Sequence, residues 1–337
     1  MYTTYLMLAL SIGIALVVSL ALGPLLIPLL RRWKFGQTIR EEGPRHHQSK
    51  AGTPTAGGII MVIGVVMAVL ICAWPPQLPA IICLVSFVSF ALLGFIDDFI
   101  KITKRRNLGL TAQQKILGQF VFAGLVLFLA AMAGRGTVVE IPLLPNLFPS
   151  IPVSVDMGWF YYPFIAVLIV GMINAVNFTD GLDGLASGSV MISSGAFGFI
   201  ALVNWNAGMY GDESWAVILF AGALMGACLG FLRFNSFPAK IFMGDCGSLG
   251  LGGALAAMAI LTRTEFLFLL IGFVYVIEIL SVVLQVISFK LRGKRIFRMS
   301  PLHHHFELGG WSEQKVVKTF WSWSLMAAAA GILLFVA

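Results

Sequence analysis

At 337 residues the chain could form one large or two ordinary domains, yet 59% of it is hydrophobic and 11% charged, with a mean hydropathy of +0.93. That composition excludes a water-soluble globule, and the net charge of +7 rests on so few side chains that their positions matter more than their sum. The apolar residues fall into stretches of roughly 17–25, each long enough to cross a ~30 Å hydrocarbon core as a helix, so the expected fold is an all-α polytopic membrane protein.

In chain order, ten spans are expected near residues 4–30, 57–73, 79–96, 116–133, 159–176, 186–203, 215–232, 246–262, 266–289 and 318–336. The first has no basic segment before it and runs to Leu30 before meeting Arg31 and Arg32, which reads as a retained span and not a cleaved leader. The 134–158 connector carries the weakly alternating IPLLPNLFPSIPVSV, which predicts a short hairpin. No internal repeat, heptad pattern or separate soluble domain is visible, so residues 1–337 read as a single domain. Cys72, Cys83, Cys228 and Cys246 have neither CxxC nor Cys/His ligand spacing and read as small buried hydrophobes.

The basic residues set the orientation. Of the 22 Lys and Arg, all but Arg135 and Arg263 lie in connectors 31–56, 97–115, 233–245 and 290–317 or at Lys318. Those connectors are cytoplasmic by the positive-inside rule, and an even number of spans puts both termini outside. Attraction to anionic lipid accounts for such a basic face, and so does a polyanionic cytoplasmic substrate; charge alone does not choose.

The acids are more telling. Asp97 and Asp98 end the third span, Asp180 and Asp183 follow the fifth, and Asp245 precedes the eighth, so all five reach the same membrane face. Carboxylates there are costly to dehydrate and are normally paired, metal-bound or in a wet cavity. Sparse oxygen ligands suit Mg2+, which keeps several waters and takes one or two carboxylates plus substrate phosphates. Adjacent acids on a helix diverge by about 100°, so Asp97 and Asp98 can serve two partners, although such a pair beside a basic run can also simply mark a helix end.

In NAVNFTDGLDGLASG, Asp180 and Asp183 sit three apart among glycines that allow close backbone approach to a ligand, with capping of the next helix as the plainer role for Asp183. FNSFPAKIFMGDCGSLGLGG sets Asn235, Lys240, Phe242 and Asp245 on a loop entering a glycine-rich helix N-terminus, suited to phosphate and to a stacked base. Its spacing is neither a Walker A nor a dinucleotide fingerprint, and Gly250, Gly252 and Gly253 are also explained by helix packing. FRMSPLHHHFELGGW places His303, His304 and His305 after five cations, read here as an extended or bent loop. Three consecutive histidines there make a poor zinc site, whereas diphosphate contact or acid–base work suits their neutral-range chemistry. Glu278, the one acid inside a span, is either functional or a partner for a helix break.

Taken together, RHHQSKAGTPTAGG, IDDFIK, NFTDGLDGLA, FMGDCGSLGLGG and PLHHHFE resemble, in the same order, the phospho-N-acetylmuramoyl-pentapeptide transferase family within the polyprenyl-phosphate N-acetylhexosamine-1-phosphate transferases. The resemblance runs from about residue 30 to the C-terminus. It implies a bacterial plasma-membrane enzyme of peptidoglycan synthesis that moves phospho-MurNAc-pentapeptide from UDP-MurNAc-pentapeptide to undecaprenyl phosphate on the cytoplasmic face, giving lipid I and UMP. Mg2+ is the implied cofactor, membrane lipids and a second copy in a homodimer are the implied partners, and nucleic acid is not one.

By that resemblance Asp245 is the Mg2+ ligand, Asp97 and Asp98 serve the lipid phosphate, and His303, His304 and His305 lie on the diphosphate side. Asn177, Asp180, Asp183, Asn235, Phe242 and Gln285 correspond to nucleoside- and donor-binding positions, with Lys50, Thr55, Lys101 and Lys115 nearby. Ala56 stands where the family often has Met, and Cys246 follows the metal aspartate; neither removes a chemical group. The preferred route is single displacement, with Asp98 orienting or deprotonating the lipid phosphate, and a phospho-aspartate intermediate is the rival. Two other classes remain open. A transporter should cluster its acids near mid-membrane, and a sister enzyme should use UDP-GlcNAc, against which PLHHHFE speaks.

Overall fold

The computed structural model describes residues 2–33, 52–104, 109–141 and 154–337. In order the chain forms α1 (Tyr2–Arg32), α2 (Gly58–Cys72), α3 (Leu78–Thr103), α4 (Ala112–Met132), β1 (Val138–Glu140), β2 (Ser154–Asp156), α5 (Tyr161–Thr179), α6 (Leu185–Asn206), α7 (Gly211–Asn235), α8 (Gly244–Leu261), α9 (Glu265–Ile271), α10 (Phe273–Arg292), α11 (Leu302–Glu307) and α12 (Glu313–Val336). Among the described residues nine helices are long and apolar enough to cross a membrane, and α2, with 15 residues, is a shorter apolar helix. The chain is a polytopic all-α membrane protein.

Burial separates centre from periphery. In the most apolar window of each helix, 89% of α8 and 83% of α7 is buried, against 22% of α1 and 28% of α4 and α12. The outer helices turn Leu25, Phe128 and Leu325 outward, each more than half exposed, as lipid-facing side chains should be. At the centre, α8 is admitted by small residues. A Cβ on Gly252 would strike Ile173 of α5, one on Gly253 would strike Phe90 of α3, and the Ser86 hydroxyl donates to the Gly253 carbonyl at 2.7 Å. The packing role of Gly250, Gly252 and Gly253 is therefore real.

Several boundaries differ from the sequence expectation, each for a local reason. α3 does not stop at residue 96 but continues through Asp97 and Asp98 to Thr103, because Lys101, one turn on, neutralises the carboxylates that would otherwise end it. α4 starts four residues before the expected 116, at a reciprocal cap: Thr111 N–H donates to Gln114 Oε1 at 3.0 Å and Gln114 N–H to Thr111 Oγ1 at 3.2 Å. The ninth span is two helices, α9 and α10, parted at Gly272, where a Cβ would meet the Phe268 carbonyl and Met172. The histidine triplet is not an extended loop. It occupies the helical turn of α11, which fans the three rings around an axis.

The hairpin is present: β1 and β2 pair antiparallel with Val139 opposite Val155, while the proline-rich residues 142–153 lie outside the described residues. All four cysteines are free thiols, with Cys83, Cys228 and Cys246 buried.

Candidate active site

Four helix ends converge on one carboxylate cluster. The last two turns of α3 supply Asp97, Asp98 and Lys101, the first turn of α4 supplies Lys115, the end of α5 supplies Asn177, and the start of α8 supplies Asp245. α3 and α8 meet this closely because residue 94 is glycine: a Cβ there would overlap the Asp245 carbonyl. Just before α4, Leu110 N–H donates to Asp97 Oδ1 at 2.7 Å.

Asp245 is the hub. Its Oδ2 lies 2.9 Å from Lys101 Nζ and 2.8 Å from Lys115 Nζ, and its Oδ1 accepts from Asn177 Nδ2 at 2.8 Å. Asn177 also donates to Ser248 Oγ at 2.8 Å, one turn further along α8. Asp98 Oδ2 accepts the Cys246 amide at 3.1 Å. Asp97, Asp98 and Asp245 each offer an oxygen within 4.8 Å of the others, an all-oxygen donor set with no sulfur or imidazole in it. That chemistry and spacing fit a hard divalent cation that keeps some of its waters.

Beside the cluster lies the turn after α5. Burial, reinforced by the negative charges of Asp245, Asp98 and Asp183, pushes the Asp180 carboxyl well above the usual carboxylate range. Asp183 does not cap α6. The N-cap is Gly184 with φ +81, and Asp183 Oδ2 instead accepts the Ala239 amide at 2.9 Å. Asn235 is spent on the same joint: its Oδ1 accepts Gly184 N–H and the Ser187 hydroxyl, both at 3.1 Å, and its Nδ2 donates to the Ile241 carbonyl at 3.0 Å. Residues 54–58 pair with this loop through Phe242 N–H to the Pro54 carbonyl and Gly57 N–H to the Phe242 carbonyl, at 2.8 and 2.9 Å. Thr55 is buried with its hydroxyl facing Gly244, and Phe242 is partly exposed.

α11 docks on this turn through a buried acid. Glu278 accepts Leu302 N–H at 2.6 Å and His303 N–H at 3.3 Å, and its Oε1 lies 3.0 Å from His303 Nδ1. An acceptor-only carboxylate in that place assigns the proton to Nδ1, and the buried Nε2 then faces Gly181. Glu278 thus does not serve the break at Gly272; it holds α11. His304 Nδ1 lies 2.8 Å from Glu307 Oε2, and His305 Nδ1 accepts Arg298 N–H at 3.1 Å. Gln285 accepts Ile296 and Phe297 amides and donates to the Phe297 carbonyl, clamping the approach to α11.

Comparison with known proteins agrees with this arrangement. The sequence profile of glycosyl transferase family 4 matches residues 80–263, which include Asp97, Asp98, Asp180, Asp183 and Asp245. A phospho-N-acetylmuramoyl-pentapeptide-transferase from Desulfitobacterium hafniense is 51% identical over 334 residues, covering 97% of each chain. Proteins of the same name from Halalkalibacterium halodurans and Bacillus cytotoxicus are 49% and 50% identical, covering 97% and 95% of each chain. The chain belongs to this transferase family.

Of the residues singled out from the sequence, the structure brings Asp97, Asp98, Asp245, Lys101, Lys115 and Asn177 into one contact network, with Asp180 coupled to it through charge. Asp183, Asn235 and Gln285 frame the transferase loops through their own side chains. Lys50 lies outside the described residues. Ser248, Glu313 and Trp321 were not foreseen. Glu313 Oε1 accepts Asp183 N–H at 2.8 Å, and Trp321 Nε1 donates to the Gly184 carbonyl at 3.2 Å. Ser248 was within reach of sequence reasoning, being three residues from Asp245 on one helix face; the other two come from the far end of the chain and carry no local signal.

Proposed function

We propose that this protein transfers phospho-MurNAc-pentapeptide from UDP-MurNAc-pentapeptide to undecaprenyl phosphate, forming lipid I and releasing UMP in peptidoglycan synthesis at the bacterial plasma membrane. The observation that carries the reading is the meeting of Asp97, Asp98 and Asp245 with Lys101 and Lys115 at the ends of four helices. Both reactants are anionic phosphates, so they repel each other, and a headgroup-level site of this composition is what in-line attack between them requires. The nine long apolar helices among the described residues, with α2, support ten crossings, and the positive-inside bias supports both termini outside and this site in the cytoplasm.

Asp245, with Asp97 beside it, would hold Mg2+, which when bound would neutralise developing phosphate charge as a Lewis acid. Lys115 and Asn177 fix the rotamer of Asp245 through its two oxygens. Asp98, held by the Cys246 amide, orients the lipid phosphate or removes its proton. An oxygen of that phosphate then bonds to the sugar-bearing phosphorus, and the P–O bond to UMP breaks with its electrons leaving on UMP. Phe242 offers a face for the uracil, and Asp180 lies at the donor side. His303, almost wholly buried, acts by seating α11, whereas the partly exposed His304 and His305 meet the diphosphate. A homodimer is part of the same reading.

The test is UMP release by the purified protein in detergent with undecaprenyl phosphate, with and without Mg2+, from UDP-MurNAc-pentapeptide and from UDP-GlcNAc. Mg2+- and lipid-dependent release from the peptide-bearing donor is expected. Release from UDP-GlcNAc alone would move the protein to a sister activity.

A further inference from the structure

One side chain of the cluster occupies an unusual place. Lys101 Nζ lies 2.6 Å from Asp97 Oδ2, 2.9 Å from Asp245 Oδ2 and 3.6 Å from Asp98 Oδ1, so a single ammonium touches all three carboxylates. Those are the same three residues whose oxygens share a 4.8 Å sphere. Lys115, by contrast, reaches the cluster from the side, through Asp245 Oδ2. The focal point of the donor set is therefore held by a cation that belongs to the chain.

The positions follow from the helix. Lys101 stands four residues after Asp97 and three after Asp98, the two spacings that bring side chains together on one face, and the fold adds Asp245 from α8. Without an ammonium there, three carboxylates packed this closely would repel one another. Any metal ion in ligand contact with Asp245 Oδ2, at about 2.1 Å, falls within about 5 Å of Nζ where it now stands, and one that also takes Asp97 Oδ2 or Asp98 Oδ1 competes with Lys101 again but not with Lys115. Two cations that close in a partly dehydrated site repel strongly. Lys101 also has somewhere to go: its side chain is 32% exposed, and α3 ends two residues later.

We infer that Lys101 is the resident counter-ion of the carboxylate cluster, and that a divalent cation enters by displacing its ammonium from these carboxylates. This rests on the divalent-cation reading above and adds to it a cost of metal entry set by this chain. Before metal arrives, Lys101 keeps the carboxylates together. Afterwards its ammonium is released toward the water-facing side, where phosphate arrives. The bare protein should accordingly bind divalent ions weakly by design.

The experiment is a titration of Mn2+ into the purified, detergent-solubilised protein with neither donor nor lipid phosphate, read as loss of the free-ion signal by electron paramagnetic resonance. Lys101→Met should bind Mn2+ at least about tenfold more tightly than the unaltered protein, as removal of a like charge within a few ångströms implies. Lys101→Arg keeps the charge and should stay near the starting affinity. Lys115→Met, which removes a charge from the side of the cluster, should tighten binding less than Lys101→Met. Unchanged or weaker binding in Lys101→Met, or an equal gain in Lys115→Met, would overturn the inference while leaving the metal site standing. If neither the unaltered protein nor Lys101→Met binds Mn2+ at a site abolished by Asp245→Asn, the divalent-cation reading itself falls.

Discussion

The two ends of α8 both carry buried charge, and they treat it in opposite ways. At its start, Asp245 joins Asp97 and Asp98 against Lys101 and Lys115, three negative groups against two positive, with the lysines 32% and 18% exposed. At its finish, Arg135 Nε donates to the Ile260 carbonyl at 3.1 Å while Arg135 Nη2 pairs with Glu265 Oε1 at 2.6 Å, and the side chains are 2% and 0% exposed. The Tyr161 hydroxyl donates to the same Glu265 oxygen at 2.8 Å, and the guanidinium lies 5.0 Å from the Tyr161 ring centroid. One end is unbalanced and open to water. The other holds a one-to-one ion pair almost wholly out of water. The difference separates a site from a lock: excess charge is retained only where a ligand will answer it, whereas a closed pair ties the hairpin side of the bundle to α8 and α9.

That contrast can be broken at either end. The largest effect on activity should come from Asp245→Asn, which removes the hub carboxylate: UMP release should fall at least about 10²–10³-fold, the scale for losing one preorganised electrostatic group, while thermal unfolding in detergent changes little. The largest effect on stability should come from Arg135→Leu. It strands Glu265 without its cation, at a cost of about 3–5 kcal/mol read as a fall in Tm, and the Arg135→Leu/Glu265→Leu double variant should recover most of the loss. A stable Arg135→Leu protein with no activity would mean that the sealed end is not a lock.

Between these lies Glu278→Gln. Its carboxylate holds two amides and the His303 ring, so the amide variant should let α11 drift and lower turnover by about tenfold or more, while Glu278→Asp recovers less than the full reach. Full activity in Glu278→Gln would remove any role for the seating of α11.

How much of this was legible in the sequence differs along the same axis. The helices are written in apolar runs, and the five aspartates and the basic connectors could be placed on one face because charge segregates across a membrane. What could not be read was partnership. Arg135 and Arg263 stand in the sequence only as the two cations away from the basic connectors, yet Arg135 is an ion-pair partner and Arg263 lies 4.4 Å over the Tyr210 ring. Asn235 and Gln285 carry groups suited to a nucleoside, but their amides are used on the protein's own backbone and on the Ser187 hydroxyl, a fact set by contacts across 6 to 51 residues that no periodicity reports. Acids stop an apolar run, which sets Asp97 and Asp98 at a span end in the sequence; the helix continues because its own lysine answers them.

Asp180 gives a pH-dependent contrast with the sealed end. Its folded carboxyl titrates well above the unfolded one, so folding favours the protonated form. The stability it lends is fully present below the unfolded pKa and is lost as pH rises through the folded one. Metal-free protein should therefore lose Tm with rising pH in that window, and Asp180→Asn should flatten the slope. An unchanged slope would mean that neither burial nor the neighbouring carboxylates raise the Asp180 carboxyl.

The smallest expected effect sharpens the comparison most finely. Tyr161→Phe removes one hydroxyl from the sealed end and leaves the Arg135–Glu265 pair and the ring over which the guanidinium lies. A hydrogen bond to a charged acceptor is worth about 1.5–3 kcal/mol, so Tm should fall by less than in Arg135→Leu. Because Glu265 keeps its cation, the ion pair rather than the phenol decides whether this end stays closed, and UMP release should be unaltered at temperatures below unfolding. A Tyr161→Phe loss as large as that of Arg135→Leu would instead make the phenol an equal member of the lock, with Glu265 requiring both donors to remain ionised in the membrane.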